Sequence, residues 1–234
     1  MEIMKKELLF ASFGLYPEQM TLEAVADLKK CEKVYFTSLS RENSRLMLSL
    51  FPGAELLNDV PFEGLILTVM GAFASCGRVG VVDHGDPAFL CEFSKRLRAA
   101  AGRRGVAFKE LRAISSLNAI LAEFDLGGLG PLGLCLTNAH SWPEAGKYAS
   151  NRIPLLVFSP DRARLNGDKE GCLAGLAAYV KKNYPPGHAI YFIKCADAAS
   201  RPALKRRVRV ASFGRALTAV EFDTSLYIPP VTGW

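Results

Sequence analysis

A chain of 234 residues, half of them hydrophobic, can bury one large core or two medium ones, and two compact α/β domains fit that length. The formal charge of +6 comes from 29 basic against 23 acidic residues. Much of the excess lies in Lys95 to Arg112 and Arg201 to Arg209, runs without aromatic interleaving that read as solvated helix faces or strand edges, so no nucleic-acid binding is expected.

Six cysteines are scattered without a C-x-x-C pair or nearby histidines. This argues against a zinc site or a disulfide framework, and they read as reduced core residues. No signal peptide and no run of membrane-spanning length is visible, so a cytoplasmic protein without membrane contact is expected.

Glu7 to Phe13 reads as the first strand, closing at Gly14-Leu-Tyr-Pro17. Thr21 is placed to cap a helix with Leu22, Val25, Ala26 and Leu28 on one face and Lys29-Lys30 at its end, where cations suit the helix dipole. Lys33 to Thr37 is the second strand, and a β-α-β opening favours parallel pairing with a crossover helix. Asn43 to Leu50 reads as a short helix stopped by Pro52-Gly53, and Leu56-Leu57 as a short strand. Between Pro61 and Ala74, Leu65, Val69 and Phe73 recur at helical spacing.

The stretch from Arg78 to Leu90 organises what surrounds it. Val79, Val81 and Val82 are β-branched and belong to a run too short for a helix, ending in Gly85-Asp86-Pro87. Gly85 permits backbone conformations closed to other residues, Asp86 can accept hydrogen bonds from the following amides, and Pro87 fits the first position of a helix. A helix is therefore expected to start there, with Phe89 to Ala101 basic and amphipathic. Ligands in open α/β sheets sit outside the carboxyl ends of the strands, which makes Asp83 to Phe89 a candidate ligand-binding turn. Taken alone, Gly-Asp-Pro reads as an ordinary turn.

Val106 to Leu111 supplies another strand, and the chain divides on this reading into an N-terminal domain, 1–112, and a C-terminal domain, 113–234. Ser115 and Ser116 can cap a helix over Ile114 to Glu123. Gly127 to Gly133 is glycine-rich but lacks a P-loop lysine, and reads as a mobile connection. Leu134 to Thr137, Ile153 to Phe158, His188 to Cys195, Arg207 to Ala211 and Ser225 to Ile228 are expected strands, with a helix over Glu170 to Lys182. There is no G-x-S-x-G, no H-E-x-x-H and no G-x-G-x-x-G after the first strand. His84, His140 and His188 are too separated for a ligand set, so no metal is expected.

Six segments in order carry a resemblance: Phe10 to Val25 with Pro17 and Met20-Thr-Leu-Glu-Ala24, Val34-Tyr-Phe36, His84-Gly-Asp-Pro87, Ile114-Ser-Ser116, Tyr184-Pro-Pro-Gly-His188 and Ser225-Leu-Tyr-Ile-Pro-Pro230. Over almost its whole length the chain resembles the tetrapyrrole (corrin/porphyrin) methylase superfamily. That resemblance implies a two-domain α/β fold, with a mostly parallel N-terminal sheet, a mixed C-terminal sheet and S-adenosylmethionine in the cleft between them. Leu15 and Pro17 would flank the donor, Gly85, Asp86 and Phe89 would line it, and Ser115, Ser116, Phe158, Ser159 and Cys195 would complete the site. A closed apolar site protects a sulfonium from water, and positioning supplies most of the rate, so no catalytic residue is assigned.

Met20-Thr-Leu-Glu-Ala24 and Leu226-Tyr-Ile-Pro-Pro230 are similar to the borosin-type peptide backbone N-methyltransferases, which leaves a tetrapyrrole-like molecule or a peptide as substrate. Between Pro61 and Cys76 the chain lacks the Tyr and Arg of that branch, and Arg112-Ala113 stands where tetrapyrrole methylases usually have Pro-Gly. These departures motivate the alternative of a non-catalytic binding or regulatory module that keeps the fold. The resemblance also implies a homodimer, for which the apolar Leu65 to Phe73 helix and the terminal strand offer surface.

Overall fold

Successive residues of the first strand serve two different cores. In the computed structural model, which describes residues 6–37, 40–58, 60–128, 130–165, 167–168 and 171–231, β1 (Glu7–Ser12) sends Leu8 and Phe10 into one cluster and Leu9 and Ala11 into another. A strand buried on both faces belongs inside a parallel sheet, and its near-continuous apolar run follows from that position.

The chain divides into two compact units. One comprises the described residues up to Ala119 together with Asp197–Arg201, the other Ile120–Ala196 and the residues from Pro202 on. In the first, α1 (Leu22–Leu28), β2 (Lys33–Phe36), α2 (Arg41–Leu50), β3 (Glu55–Leu56), α3 (Phe62–Gly71), β4 (Arg78–Asp83), α4 (Glu92–Arg103) and β5 (Ala107–Glu110) follow β1. The sheet order is β3-β2-β4-β1-β5 and every pairing is parallel. Ala24 and Leu28 of α1 and Met47 of α2 pack on the Leu9 side. Leu65 and Val69 of α3 and Phe93 and Leu97 of α4 pack on the Phe10 side.

Gly80 explains why the β4 run is not valine throughout. A Cβ there would come within 2.7 Å of Leu28 Cδ2 and 3.3 Å of Cys31 Sγ, so α1 sits directly on the strand backbone.

After α5 (Ser116–Glu123) the second unit adds β6 (Cys135–Asn138), α6 (Trp142–Ala145), β7 (Leu155–Phe158), α7 (Pro160–Leu165), α8 (Cys172–Asn183), β8 (Ala189–Lys194), β9 (Leu204–Arg209), α9 (Val210–Thr218) and β10 (Thr224–Ile228). Its sheet runs β6-β7-β10-β8-β9, with β6 parallel to β7 and the other pairs antiparallel. Leu155, Val157, Phe192, Leu226 and Ile228 meet Leu176 and Val180 of α8, Phe213 of α9 and Trp142 of α6. The expected α/β class, with a parallel first sheet and a mixed second one, is observed.

Several local expectations change. The helix after the Gly-Asp-Pro turn starts at Glu92 rather than Pro87, because Leu90 takes a left-handed φ of 54° and breaks the run. Its N-cap is Cys91, whose Sγ accepts the Ser94 amide. On α1 the buried residues are Ala24, Asp27 and Leu28, whereas Leu22 is 88% exposed and Ala26 also faces out. Thr21 does cap that helix, accepting the Ala24 amide. The expected strand over Arg207 to Ala211 ends at Arg209, and α9 follows at once with Val210, Phe213 and Leu217 buried at helical spacing. Of the cysteines only Cys172 is fully buried, though all six are free thiols. Glu170, at the expected start of the helix over 170–182, lies outside the described residues.

The apolar helix and terminal strand expected to offer dimer surface bury part of it internally, while Leu67 of α3 stays 68% exposed. Leu65, Val69 and Phe73 are buried in the first unit's core, and every residue of β10 is buried in the second. The basic runs take the expected places: Lys95, Arg96 and Arg98 face solvent on α4, and Lys205 to Arg207 are exposed on β9, an edge strand. Among the described residues no helix is long and apolar enough to cross a membrane.

Candidate functional site

In the first unit, α1 leaves β1 toward one face of the sheet and α4 leaves the adjacent β4 toward the other. The chain therefore splits apart at the carboxyl ends of β1 and β4, the switch point at which open α/β sheets hold ligands.

The loops leaving these two strands are tied to each other. The Gly85 amide donates to the Gly14 carbonyl at 2.7 Å, forming an isolated bridge between two glycines of positive φ, 76° at Gly14 and 78° at Gly85. At Gly14 a Cβ would strike Gln19, whose Oε1 accepts the Leu15 amide at 2.8 Å and folds the loop back on itself. At Gly85 the position of a Cβ meets nothing within 4 Å among the described residues. One glycine is needed for internal packing, while the other keeps an open approach to the backbone.

Asp86 is 7% exposed and holds the turn: Oδ1 accepts the Ala88 amide at 2.8 Å and its carbonyl accepts the Phe89 amide. Its carboxylate is also forked by Arg112, from the loop after β5. Nε lies 2.9 Å from Oδ1 and Nη2 lies 3.0 Å from Oδ2. Asp86 in turn raises the guanidinium pKa, chiefly through this hydrogen bonding. At the end of β2, Thr37 Oγ1 donates to Asp83 Oδ1 at 2.7 Å, and Phe13 and His84 meet edge to face. Ser12, opposite Asp83 in register, is 1% exposed, and its Oγ has no hydrogen-bond partner among the described residues.

Of the expected donor-site residues, Leu15, Gly85, Asp86 and Phe89 are brought together here by the Gly14–Gly85 bridge and the Asp86 turn. Leu15 and Pro17 are buried within the unit, so the Leu15 amide is already committed to Gln19. Ser115 caps α5 in a reciprocal arrangement with Asn118: its Oγ accepts the Asn118 amide, and its own amide and hydroxyl donate to Asn118 Oδ1. The Ser115 hydroxyl is thus spent on capping, and Ser116 opens the helix.

In the second unit, Phe158, Ser159 and Cys195 share one end of the sheet, after β7 and β8, which both flank β10. Ser159 takes a φ of 56°, and burial pushes the Cys195 thiol up to about 12, leaving it protonated and unreactive at neutral pH. Tyr184-Pro-Pro-Gly-His188 and Pro229 lie toward the opposite end. His188 Nε2 pairs with the Pro229 carbonyl at 2.9 Å, and the His188 carbonyl accepts the Val210 amide that starts α9. Two motifs of the resemblance are therefore structural ties.

Gln19, Arg112 and Asn118 were not singled out as site residues by the sequence. Only Asn118 had a local signal, the Ser-x-x-Asn spacing of a reciprocal cap. Among the described residues no group of His, Cys, Asp and Glu is arranged to hold a metal ion.

Neither a protein-family model nor a curated protein matches the sequence. Solved structures do match. A uroporphyrin-III C-methyl transferase from Thermus thermophilus, complexed with S-adenyl homocysteine, superposes with a TM-score of 0.66 at 21% identity, covering 95% of this chain and 92% of that one. The cobalt precorrin-4 methyltransferase CbiF gives 0.68 at 15% identity over 95% and 94%, and the methyltransferase CobJ gives 0.67 at 14% over 97% and 95%. The chain has the tetrapyrrole methylase fold.

Proposed function

We propose that the protein is an S-adenosylmethionine-dependent methyltransferase whose acceptor is a tetrapyrrole-like molecule. The observation that carries this reading is the Gly14–Gly85 bridge at the switch point, with the Gly85 backbone open to approach. The fold likeness to a methyltransferase complexed with S-adenyl homocysteine supports the same ligand class. When bound, the donor supplies an electrophilic methyl group on a sulfonium.

Gly85 and the turn through Phe89 fit such a ligand, because a polar group can reach the strand-end backbone where no side chain intervenes. Leu15 and Pro17 hold the opposite loop through buried side chains. Positioning is what these residues contribute, and an in-line methyl transfer asks for little more. Ser115 acts by fixing the start of α5.

Isothermal titration with S-adenosylhomocysteine tests the ligand, and mass spectrometry of uroporphyrinogen incubated with excess donor tests turnover. No heat of binding at millimolar ligand would end the methyltransferase reading. Binding without methyl gain over many equivalents of donor would leave a non-catalytic module. A peptide acceptor of the borosin type rests on Met20-Thr-Leu-Glu-Ala24 and Leu226-Tyr-Ile-Pro-Pro230, and methylated peptide in the same assay would select it. A homodimer and a cytoplasmic setting belong to the proposal, with light scattering and cell fractionation as their tests.

A further inference from the structure

Arg112 occupies an unusual position for a surface arginine. Its side chain is 66% exposed, yet two of its three nitrogens are clamped by the carboxylate of Asp86, which is 8% exposed. Asp86 is itself held by the Ala88 amide within a turn pinned to β1 by the Gly14–Gly85 bridge. An ordinary exposed ion pair spends much of its gain on ordering two long side chains. Here one partner is short and immobile, so the guanidinium is fixed by a bidentate grip to a rigid support.

That grip leaves Nη1 over. Nη1 donates to no group among the described residues, and the carboxylate that grips the guanidinium belongs to the residue directly after Gly85. A guanidinium whose rotamers are already fixed loses little entropy on accepting a second anion. Its planar donors match a carboxylate.

We propose that Arg112 is a recognition residue for a carboxylate of the bound ligand, and that Asp86 is a positioning residue acting through Arg112 rather than a direct donor ligand. This rests on the methyltransferase reading, under which two molecules bring carboxylates to the site: the amino-acid end of the methyl donor and an acid side chain of the acceptor. In either case the group read is the same, and the fork explains why a buried acid can stand beside an anionic ligand. The charge of Asp86 is neutralised before the ligand arrives.

The experiment titrates three probes into the full-length protein and its Arg112→Gln and Arg112→Lys variants: S-adenosylhomocysteine, its decarboxylated analogue and uroporphyrin. Arg112→Gln should weaken one carboxylate-bearing probe by at least tenfold, and Lys, which keeps the charge without the fork, should recover only part of that loss. A loss for S-adenosylhomocysteine with none for its decarboxylated analogue assigns the donor carboxylate. A loss for uroporphyrin alone assigns the acceptor. Asp86→Asn should reproduce the loss, and combining it with Arg112→Gln should add nothing, since both remove one unit.

Unchanged affinity of Arg112→Gln for both carboxylate-bearing probes overturns the proposal, as does full additivity of the two substitutions. If the unmodified protein binds no S-adenosylhomocysteine, the methyltransferase reading fails, and the uroporphyrin arm still judges Arg112. Failure to bind either probe overturns both. Removing Arg112 leaves the Asp86 carboxylate without its partner, so melting temperatures are measured on the same variants and affinities are taken on the folded fraction, which separates lost recognition from lost folding.

Discussion

His188 and Pro229 tie the start of β8 to the end of its antiparallel neighbour β10: Nε2 of the one lies 2.9 Å from the carbonyl oxygen of the other, across 41 residues. The same imidazole packs on Tyr184, with ring centroids 5.0 Å apart. His188→Ala should therefore destabilise the protein by about 1–2 kcal/mol, the worth of one partly buried hydrogen bond and its ring packing. Binding of S-adenosylhomocysteine by the folded fraction should not change. Urea titration and calorimetry on the same variant check both, and a selective loss of affinity would show that this tie reaches the ligand.

Gly85 gives the opposite expectation. Its φ of 78° is costly for a branched residue, so Gly85→Val should lose about 1–3 kcal/mol of stability whether or not a ligand binds there. Gly85→Asn, which tolerates left-handed backbone better, should cost less in stability while still placing a side chain in the open approach. If the donor reaches this backbone, both variants lose affinity. Affinity intact in Gly85→Asn would remove Gly85 from the site.

The overall layers were legible in the sequence because periodicity reports burial. Val79, Val81 and Val82 read as a strand and are covered on both faces, and Leu65 and Val69 read as part of a helix and lie on its buried stripe, with Phe73 buried just beyond its end. What periodicity does not report is where an element starts. Pro87 is chemically suited to open a helix, yet a left-handed Leu90 delays it to Glu92, and nothing local marks that backbone angle. For α9 the alternation Arg207-Val-Arg-Val resembled a strand continuing into Ala211. Val210 instead belongs with Phe213 and Leu217, a match visible only at a spacing of three and four. The site was half legible: turn glycines announce themselves, whereas the Arg112 grip on Asp86 joins residues 26 apart whose types carry no motif.

Asp27 predicts an acid limb. Hydrogen bonds from Lys109 and Lys30 lower its carboxyl from 3.8 to about 2. A depressed carboxylate stabilises the fold above its unfolded value, and that contribution is lost as the pH falls through the folded value. Between about pH 4 and about pH 2 the native protein should lose stability that Asp27→Asn, already without it, does not lose. Chemical denaturation across that window checks it, and equal slopes for the two proteins would reject the assignment.

Ser12 predicts a gain. Among the described residues its hydroxyl is buried without a partner at the end of β1, so removing it should not weaken folding. Ser12→Ala should be neutral or up to about 1 kcal/mol more stable, since an unsatisfied buried hydroxyl costs more than it returns. A loss above about 1 kcal/mol in urea titration would mean the hydroxyl has a partner in solution.

The exposed strand β9 has one more consequence. Among the described residues its outer edge pairs with no strand, but Lys205, Arg206, Arg207 and Arg209 would meet their own images in a second copy. Two such edges repel before their amides can align. Arg206 also lies over the Phe192 ring, shielding apolar surface that would otherwise reward that encounter. Colloidal behaviour is thereby tied to ionic strength: as salt screens the lysine and arginine row, turbidity and sedimentation should report a chain that grows more self-adhesive while its folded structure stays the same.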